Sequence, residues 1–175
     1  MSIAWLNHVS ISANDLVEST RFYTEIFGAE TIPTPNFGFP VQWLRLGDLQ
    51  LHLFQSRDHS VPRNHHIAFA VDDFERVFWT AKERGIHDDT AFGHHLFELP
   101  NNIAQMYIRD PGGNLVEVNW PEASGLDRSI RAEMKKLGDV FPQSAENLKA
   151  VLYLERRPGV APRPQVQEAS PALGA

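Results

Sequence analysis

The 175-residue sequence predicts an α+β fold built from two similar modules, each with one strand, one helix and further strands. Residues 66–71 alternate between bulky apolar side chains and a face made of His66 and two alanines, the period of a half-buried strand. Asp73 then occupies the expected N-cap position of a helix. Residues 8–16 repeat this pattern, with His8 at the position of His66, which indicates an internal duplication.

The remaining elements follow from turn and cap residues. The first module is predicted to contain a strand over 4–12, a helix from Asp15 to Phe27 that stops at Gly28, and strands near 29–33, 42–47 and 49–55. The second module, from about His65, is predicted to contain a helix from Asp73 to Arg84 and strands near 94–99, 104–109 and 114–120. Residues 110–114, Asp-Pro-Gly-Gly-Asn, form a strong turn signal before the last strand.

Residues after the second module have a different pattern. Leu126 to Leu137 is predicted as an amphipathic helix, and Ser144 is predicted to cap a second helix that runs to about Arg156. The proline-rich tail from residue 157 is predicted to be disordered. We therefore expect a domain over 1–123 (modules 4–55 and 65–120), a helical extension over 124–156 that covers a sheet edge or builds a dimer contact, and a tail over 157–175.

Composition excludes several classes of function. A net charge of −6 without a basic patch gives no reason to expect nucleic acid or an anionic membrane as a partner. No apolar run approaches the roughly 20 residues of a membrane span, and no signal peptide is recognisable. The absence of cysteine excludes disulfides, thiolate metal sites and a cysteine nucleophile. These features fit a cytoplasmic protein.

Three side chains are candidate metal ligands. His8 and His66 occupy matched positions in the duplication, so a pseudo-twofold axis would bring their imidazoles together. Glu117 lies in the middle of an apolar strand, where an unpaired carboxylate is costly and a cation removes the cost. Two histidines and one carboxylate form a facial triad with open positions that suits Fe(II), Mn, Co, Ni or Zn rather than calcium. The alternative is structural: hydrogen-bonded core histidines, and a glutamate paired with an arginine.

Two further residues are candidates for catalysis. His52 lies near the first-module counterpart of Glu117, where it would be a fourth ligand, an acid/base group or a residue that lines the pocket. Tyr107 is placed to donate a proton to a developing oxyanion, or simply to fill the pocket. If the aromatic loop with Phe37, Phe39 and Trp43 reaches the pocket mouth, an apolar or aromatic substrate is favoured. Of the other histidines, we expect His94 and His95 at the pocket rim or surface, and His59 and His87 in solvent.

Four short segments together resemble the vicinal oxygen chelate superfamily, also called the glyoxalase/bleomycin resistance/dioxygenase family. They are Asn7-His8-Val9, Asp15-Leu16 with Arg21-Phe22-Tyr23 and Phe27-Gly28, His66 to Asp73, and Asp110 to Glu117. The resemblance spans residues 4–120. It implies paired βαβββ modules that form a cupped mixed sheet around one divalent metal, with ligands at His8, His66 and Glu117.

The resemblance also implies bidentate chelation of adjacent substrate oxygens by the metal, followed by proton transfer, epoxide opening or oxygen insertion. Residues 107–117 are similar to the extradiol dioxygenase signature, which slightly favours ring cleavage if iron is bound. That signature also requires a histidine shortly before the tyrosine, and the nearest one, His95, is further away. A glyoxalase I-like lyase or epimerase with Ni, Co, Mn or Zn is the alternative, in which His52 replaces the usual glutamate.

Two hypotheses of other classes stay open. The chain is a non-catalytic, bleomycin-resistance-type protein that sequesters a ligand with its aromatic loop, or it is a partner-binding protein whose extra helices make the interface. The retained His/His/Glu set argues against the first. In each case we expect a homodimer, because small modules of this kind bury a sheet edge by association.

Overall fold

The computed structural model describes residues 6–153, which contain two open sheets with helices packed against one side of each. The first module contains β1 His8–Ala13, α1 Leu16–Phe27, β2 Glu30–Ile32, β3 Val41–Leu46 and β4 Leu49–Gln55. The second contains β5 His66–Ala70, α2 Phe74–Arg84, β6 Leu96–Leu99, β7 Ile103–Arg109 and β8 Leu115–Trp120. Two βαβββ modules, as predicted, therefore make up the α+β fold.

The two sheets have the same topology. The first has the order β1-β4-β3-β2, and the second begins β5-β8-β7-β6. In each module the first strand runs parallel to the last, and the other pairs are antiparallel. The first strand of each module is consequently a sheet edge, so β1 and β5 each have one side without a strand partner in their sheet.

The predicted N-cap aspartates and terminal glycines are present in both helices. The Asp15 carboxylate accepts hydrogen bonds from two backbone amides at the start of α1, and the Asp73 carboxylate accepts one at the start of α2. Gly28 and Gly85 end the two helices in the left-handed conformation, with φ of 65° and 64°. The apolar faces of both helices pack on the sheets through Phe22, Tyr23, Ile26, Phe74, Val77, Phe78 and Ala81.

The predicted turn over 110–114 also joins the two modules. Asp110 is buried and accepts a hydrogen bond from the hydroxyl of Tyr23 on α1 at 2.8 Å. Asn114 donates from Nδ2 to the Ser12 carbonyl of β1 at 2.8 Å and to Asp110 at 2.8 Å. Burial raises the pKa of Asp110, although these donors oppose the shift. We call this set of Ser12, Tyr23, Asp110 and Asn114 the inter-module latch.

Gly112 is the tightest point beside this latch. A Cβ at this position would lie 3.0 Å from the Ser12 carbonyl oxygen and 3.1 Å from Asn114 Nδ2. We expect Gly112→Ala to lower the free energy of unfolding by about 1–3 kcal/mol, because the backbone of β1 cannot move away without breaking the latch. Urea denaturation followed by circular dichroism measures this. Gly125→Ala is the matched control, since its Cβ would meet only a flexible side chain at 3.8 Å; equal losses in both variants would contradict the explanation.

The C-terminal extension differs from the prediction. The single helix expected from Leu126 to Leu137 is wrong, because α3 Arg128–Glu133 is followed by β9 Lys135–Lys136 and a short α4 Leu137–Val140. The reason is tertiary: β9 pairs in parallel with β6 and caps the outer edge of the second sheet. The extension therefore covers a sheet edge, one of the two roles that we considered for it.

The second predicted helix, from Ser144 to Arg156, is also wrong as far as residue 153. Only one 3-10 turn, Asn147–Lys149, forms there, and Ser144 exchanges hydrogen bonds with Asn147 instead of capping a longer helix. Directly after this turn, the Ala150 carbonyl accepts a hydrogen bond from Asn101 Nδ2. The remainder of that helix and the predicted tail over 157–175 lie outside the described residues.

Two histidines expected in solvent are partly buried. Both ring nitrogens of His59 lie close to carbonyl oxygens, those of Ser56 at 2.7 Å and Gly112 at 2.9 Å. The ring of His87 stacks on that of His95 at 4.3 Å, and burial lowers the pKa of His87 to about 4.

Within residues 6–153, no helix has both the length and the apolarity needed to cross a bilayer.

Candidate metal centre

The second module brings His66 and Glu117 together, as the parity of their strands predicts. His66 Nε2 lies 3.2 Å from Glu117 Oε2. Glu117 is only 4% exposed, and its other oxygen accepts a hydrogen bond from Asn119 Nδ2 at 2.8 Å. Tyr107 is next to this pair on β7 and donates its hydroxyl to Gln105 at 2.8 Å. We call His66, Glu117, Tyr107, Gln105 and Asn119 the carboxylate half-site.

The hydrogen bonds of this half-site fit a bound cation. His66 Nδ1 lies 2.8 Å from the Asn64 carbonyl, which can only accept, so Nδ1 carries the proton. In a neutral ring Nε2 then presents a lone pair to the Glu117 carboxylate, and two acceptors face each other at 3.2 Å. A metal between them removes that repulsion, and a ligating histidine commonly donates its other N–H to a carbonyl. Among residues 6–153, no lysine or arginine forms an ion pair with the buried Glu117 carboxylate, and His66 is the basic side chain beside it.

Burial and the nearby charge of Glu117 both act on Tyr107. Burial raises the pKa of Tyr107, and the Glu117 carboxylate raises it further. The phenol is therefore neutral at physiological pH and keeps a proton that it can donate. This agrees with the predicted role for Tyr107 as a proton donor, which stays a prediction.

The first module carries an equivalent group on β1, β3 and β4. His8 Nδ1 lies 2.8 Å from Asn7 Oδ1, and its ring stacks on His52 at 4.3 Å. His52 in turn stacks on Trp43 at 4.3 Å, and its Nε2 lies 2.9 Å from Gln50 Oε1. Burial and neighbouring His8 lower the pKa of His52, which favours a neutral ring. We call His8, Gln50, His52 and Trp43 the imidazole half-site.

Strand register shows how the two half-sites correspond. On the first sheet His52 is the partner of Ser10 and of Trp43. On the second sheet Glu117 is the partner of Ala68 and of Tyr107. Because Ser10 and Ala68 follow His8 and His66 by two residues, His52 is the exact counterpart of Glu117. The duplication thus offers up to three imidazoles and one carboxylate on equivalent positions.

Within one chain the two half-sites do not come within common ligand distance. Among the described residues, the one group of three or more His, Asp or Glu side chains with ligand atoms within 4.8 Å of one another is Asp89, His94 and His95. His8 is exposed, and the side chain of His66 is 32% exposed, so both half-sites have an open face. The predicted triad of His8, His66 and Glu117 therefore needs a further rearrangement or a second copy to close.

A pocket of about 600 Å³ lies beside the carboxylate half-site. Tyr107 and Gln105 form part of its wall, and Arg63 and Asn64 are also among its lining residues. The other walls are apolar and include two residues of the extension, Leu137 and Phe141, together with Ala91, Phe92, Phe97 and Leu99. The contribution of the extension to the pocket could not be predicted, because no local sequence pattern shows which sheet the extension packs against.

The aromatic side chains of the first-module loop pack beside the imidazole half-site. Phe37 contacts Trp43 with ring centroids 5.9 Å apart, and Trp43 covers His52. Phe39 contacts Phe54 at 5.9 Å, and both Phe37 and Phe39 remain exposed. An apolar surface therefore adjoins the imidazole half-site, as it adjoins the carboxylate half-site.

His95 does not reach this pocket. Its ring is 6.5 Å from that of Phe78 on α2, so it lies on the helix side of the second sheet, whereas Tyr107 faces the pocket. The two residues meet only through their backbones, at a 2.8 Å hydrogen bond from the Tyr107 amide to the His95 carbonyl. His95 therefore cannot supply the histidine of the dioxygenase signature in this fold.

Comparison with known proteins agrees with this architecture. Residues 5–118 match the family model of the Glyoxalase/Bleomycin resistance protein/Dioxygenase superfamily. Mouse mitochondrial methylmalonyl-CoA epimerase is 27% identical over 130 residues, covering 65% of this chain and 71% of that protein. The metallothiol transferase FosB of Staphylococcus epidermidis is 28% identical over 130 residues, covering 68% and 83%.

A solved structure shows the same relationship. That of the oxidase ChaP-H2 has a TM-score of 0.53 at 28% identity, covering 72% of this chain and all of that one. Residues 5–118, which the family model matches, include the latch, the duplicated helices and every residue of the two half-sites except Asn119. The chain therefore belongs to the glyoxalase/bleomycin resistance protein/dioxygenase superfamily.

Proposed function

We propose that this protein is a divalent-metal-dependent isomerase or lyase that moves a proton on the carbon next to a carbonyl group. Its substrate would be a 2-oxo adduct or an acyl thioester with two adjacent oxygens and an apolar or aromatic portion. The observation that carries the proposal is the 3.2 Å approach of His66 Nε2 to a buried Glu117 carboxylate. Support also comes from the 27% identity to an epimerase.

The proposed metal ligands are His8, His66 and Glu117, with His52 as a fourth ligand or an acid/base group. When bound, such a metal would act as a Lewis acid that polarises the substrate carbonyl. Asn119 would hold the Glu117 carboxylate in place through its 2.8 Å hydrogen bond. Manganese, nickel, cobalt and zinc suit this chemistry. If iron is bound instead, the predicted reaction is ring cleavage of a catechol, which oxygen uptake would measure.

Tyr107 is the residue that we propose as the acid. Its hydroxyl is held by Gln105 at 2.8 Å, so it has a defined direction beside His66 and Glu117. His52 is proposed as the opposing base, because it occupies the equivalent position on the other half-site. An acid and a base on opposite sides of the substrate are what inversion at a carbon requires.

Removing the Tyr107 hydroxyl tests this role. We expect Tyr107→Phe to lower kcat by about 10²–10⁴-fold, because positioned proton transfer typically contributes that much. Deuterium incorporation from D₂O into a panel of acyl thioesters, including methylmalonyl-CoA, is the measurement. Metal content is the control and should not change, since the phenol is not a proposed ligand; a fall in metal content would assign Tyr107 a structural role instead.

We also propose that two copies of the chain complete each metal centre. β1 and β5 are sheet edges, and an apolar cleft of about 340 Å³ lies between them, lined by Val9, Ile11, Leu51, Ile67, Phe69 and Leu115. An isologous dimer would place the imidazole half-site of one copy against the carboxylate half-site of the other. This closes the triad, which the single chain leaves open.

Mixing two inactive variants distinguishes shared from single-chain sites. His8→Ala and Glu117→Ala each remove a ligand, but a heterodimer of the two contains one intact pair of half-sites. After mixing, unfolding and refolding together, we expect about one quarter of the parent's activity to return, because half of the dimers are heterodimers with one intact site each. Sites formed within one chain would show no recovery, and a monomer in analytical ultracentrifugation would also contradict the proposal.

A further inference from the structure

We propose that Asp89, His94 and His95 form a second divalent-metal site, suited to zinc, which attaches the C-terminal extension to the second module. The His95 ring lies on the helix side of the second sheet, and the His94 ring contacts Phe97, a wall of the pocket, at 5.6 Å; none of the three residues belongs to either half-site. It uses three residues to which sequence analysis gave no chemical role. The inference is independent of the proposed catalytic function.

The geometry of the donors is that of a metal site. Asp89 Oδ1 lies 2.9 Å from His95 Nδ1 and 3.7 Å from His94 Nδ1, and each of the three residues offers a ligand atom within 4.8 Å of the other two. Around zinc, with bonds of about 2.0–2.1 Å, tetrahedral ligand atoms are about 3.3 Å apart. The observed separations bracket that distance. Two imidazoles and one carboxylate are a ligand set that zinc prefers.

The second nitrogen of His94 directs the first one at the site. His94 Nε2 lies 2.7 Å from the Glu133 carbonyl of α3, an acceptor, so Nε2 carries the proton. In a neutral ring Nδ1 then presents a lone pair toward Asp89, whose carboxylate has no proton to give. This is the arrangement in which a metal-ligating histidine is oriented by a backbone carbonyl.

Two buried ring nitrogens lie beside the proposed site. His95 Nε2 and His87 Nε2 are buried without a hydrogen-bond partner, and the two rings stack at 4.3 Å. Coordination through His95 Nδ1 would leave Nε2 as the protonated nitrogen, and His87 is not a proposed ligand, so neither of these two atoms binds the metal. The Glu133 carboxylate, 3.8 Å from His95 Nε2, is already paired with Lys82, so we do not count it among the ligands.

Metal at this position would connect two parts of the chain. His94 and His95 precede β6, and the Glu133 carbonyl that orients His94 ends α3 directly before β9. β9 then caps the edge of β6, and the following residues Leu137 and Phe141 form walls of the pocket. Binding of metal is therefore expected to hold the extension, and with it one side of the pocket, in place.

The test uses the full chain with His66→Ala and Glu117→Ala, so that the proposed catalytic centre cannot contribute. We expect this background to bind about one equivalent of Zn²⁺ or Co²⁺ in equilibrium dialysis and to gain Tm on metal addition, because metal stabilises the folded state to which it binds. Adding Asp89→Asn should abolish both effects. Asp89 is 63% exposed, so this substitution does not disturb the core.

Asp139→Asn is the matched control, since Asp139 is exposed like Asp89 but lies in the extension, outside the donor group. It should leave binding unchanged, and His94→Gln should reproduce the loss seen with Asp89→Asn. In the Co²⁺ form, visible d–d absorption that disappears with Asp89→Asn would identify the ligand field directly. The proposal is overturned if the background binds no metal, or if it keeps one equivalent after Asp89→Asn.

Discussion

Replacement of either His66 or Glu117 by alanine is expected to weaken metal binding at the catalytic centre on the order of 1,000-fold. Losing only an outer partner of a ligand typically costs about 10–100-fold in affinity, so the loss of a ligand itself should cost more. The His66 variant leaves a buried carboxylate without its neighbour, and the Glu117 variant removes the only carboxylate of the proposed set. Titration with Zn²⁺ or Mn²⁺ in an Asp89→Asn background measures this site alone.

His65→Ala is the matched control. His65 is adjacent to His66 but precedes β5 and is not a proposed ligand, so its loss should leave metal affinity unchanged. Asn119→Ala should give an intermediate loss of about 10–100-fold, because Asn119 only orients Glu117 by a hydrogen bond. Equal affinities for the parent, His66→Ala and Glu117→Ala would eliminate the triad and favour the non-catalytic ligand-binding hypothesis.

Asp110→Ala is expected to lower the free energy of unfolding by about 3–4 kcal/mol, the largest effect on stability outside the apolar core. Asp110 is 5% exposed and accepts hydrogen bonds from the Tyr23 hydroxyl, the Asn114 amide and Asn114 Nδ2. Removing the carboxylate leaves these buried donors without an acceptor, and each unsatisfied group costs about 1–3 kcal/mol before relaxation. Chemical denaturation of the folded chain is the measurement.

A double-mutant cycle with Tyr23→Phe isolates the contact between the modules. If the latch explanation is correct, Tyr23→Phe will cost much less in the Asp110→Ala background than in the parent, since its partner is already gone. Asp58→Asn is a control at an exposed acid on the linker between the modules. Additive effects of the two latch substitutions would show that Tyr23 and Asp110 act separately.

The sequence by itself determined the duplication and the parity of its strands. Period-two alternation, an aspartate N-cap and a glycine stop are local signals, because they depend on backbone geometry within a few residues. They located both helices and predicted that His66 and Glu117 lie on the same face of the second sheet. They also placed His52 near the first-module counterpart of Glu117. The turn over 110–114 was also predicted locally, although its role as a latch was not.

Only the tertiary structure decided which parts of the chain the faces of these strands and helices contact. His8 and His66 have equivalent positions, yet within one chain they lie on separate open half-sites, because the relative placement of two modules depends on long-range packing. The extension has helical periodicity, but the open edge of β6 offers hydrogen bonds that draw Lys135–Lys136 into a strand. Packing also decides the position of His95, which directly precedes β6 but lies with His87 on the helix side of the sheet, opposite the pocket. The pattern of a strand specifies which side chains share a face, and packing determines which face becomes the site.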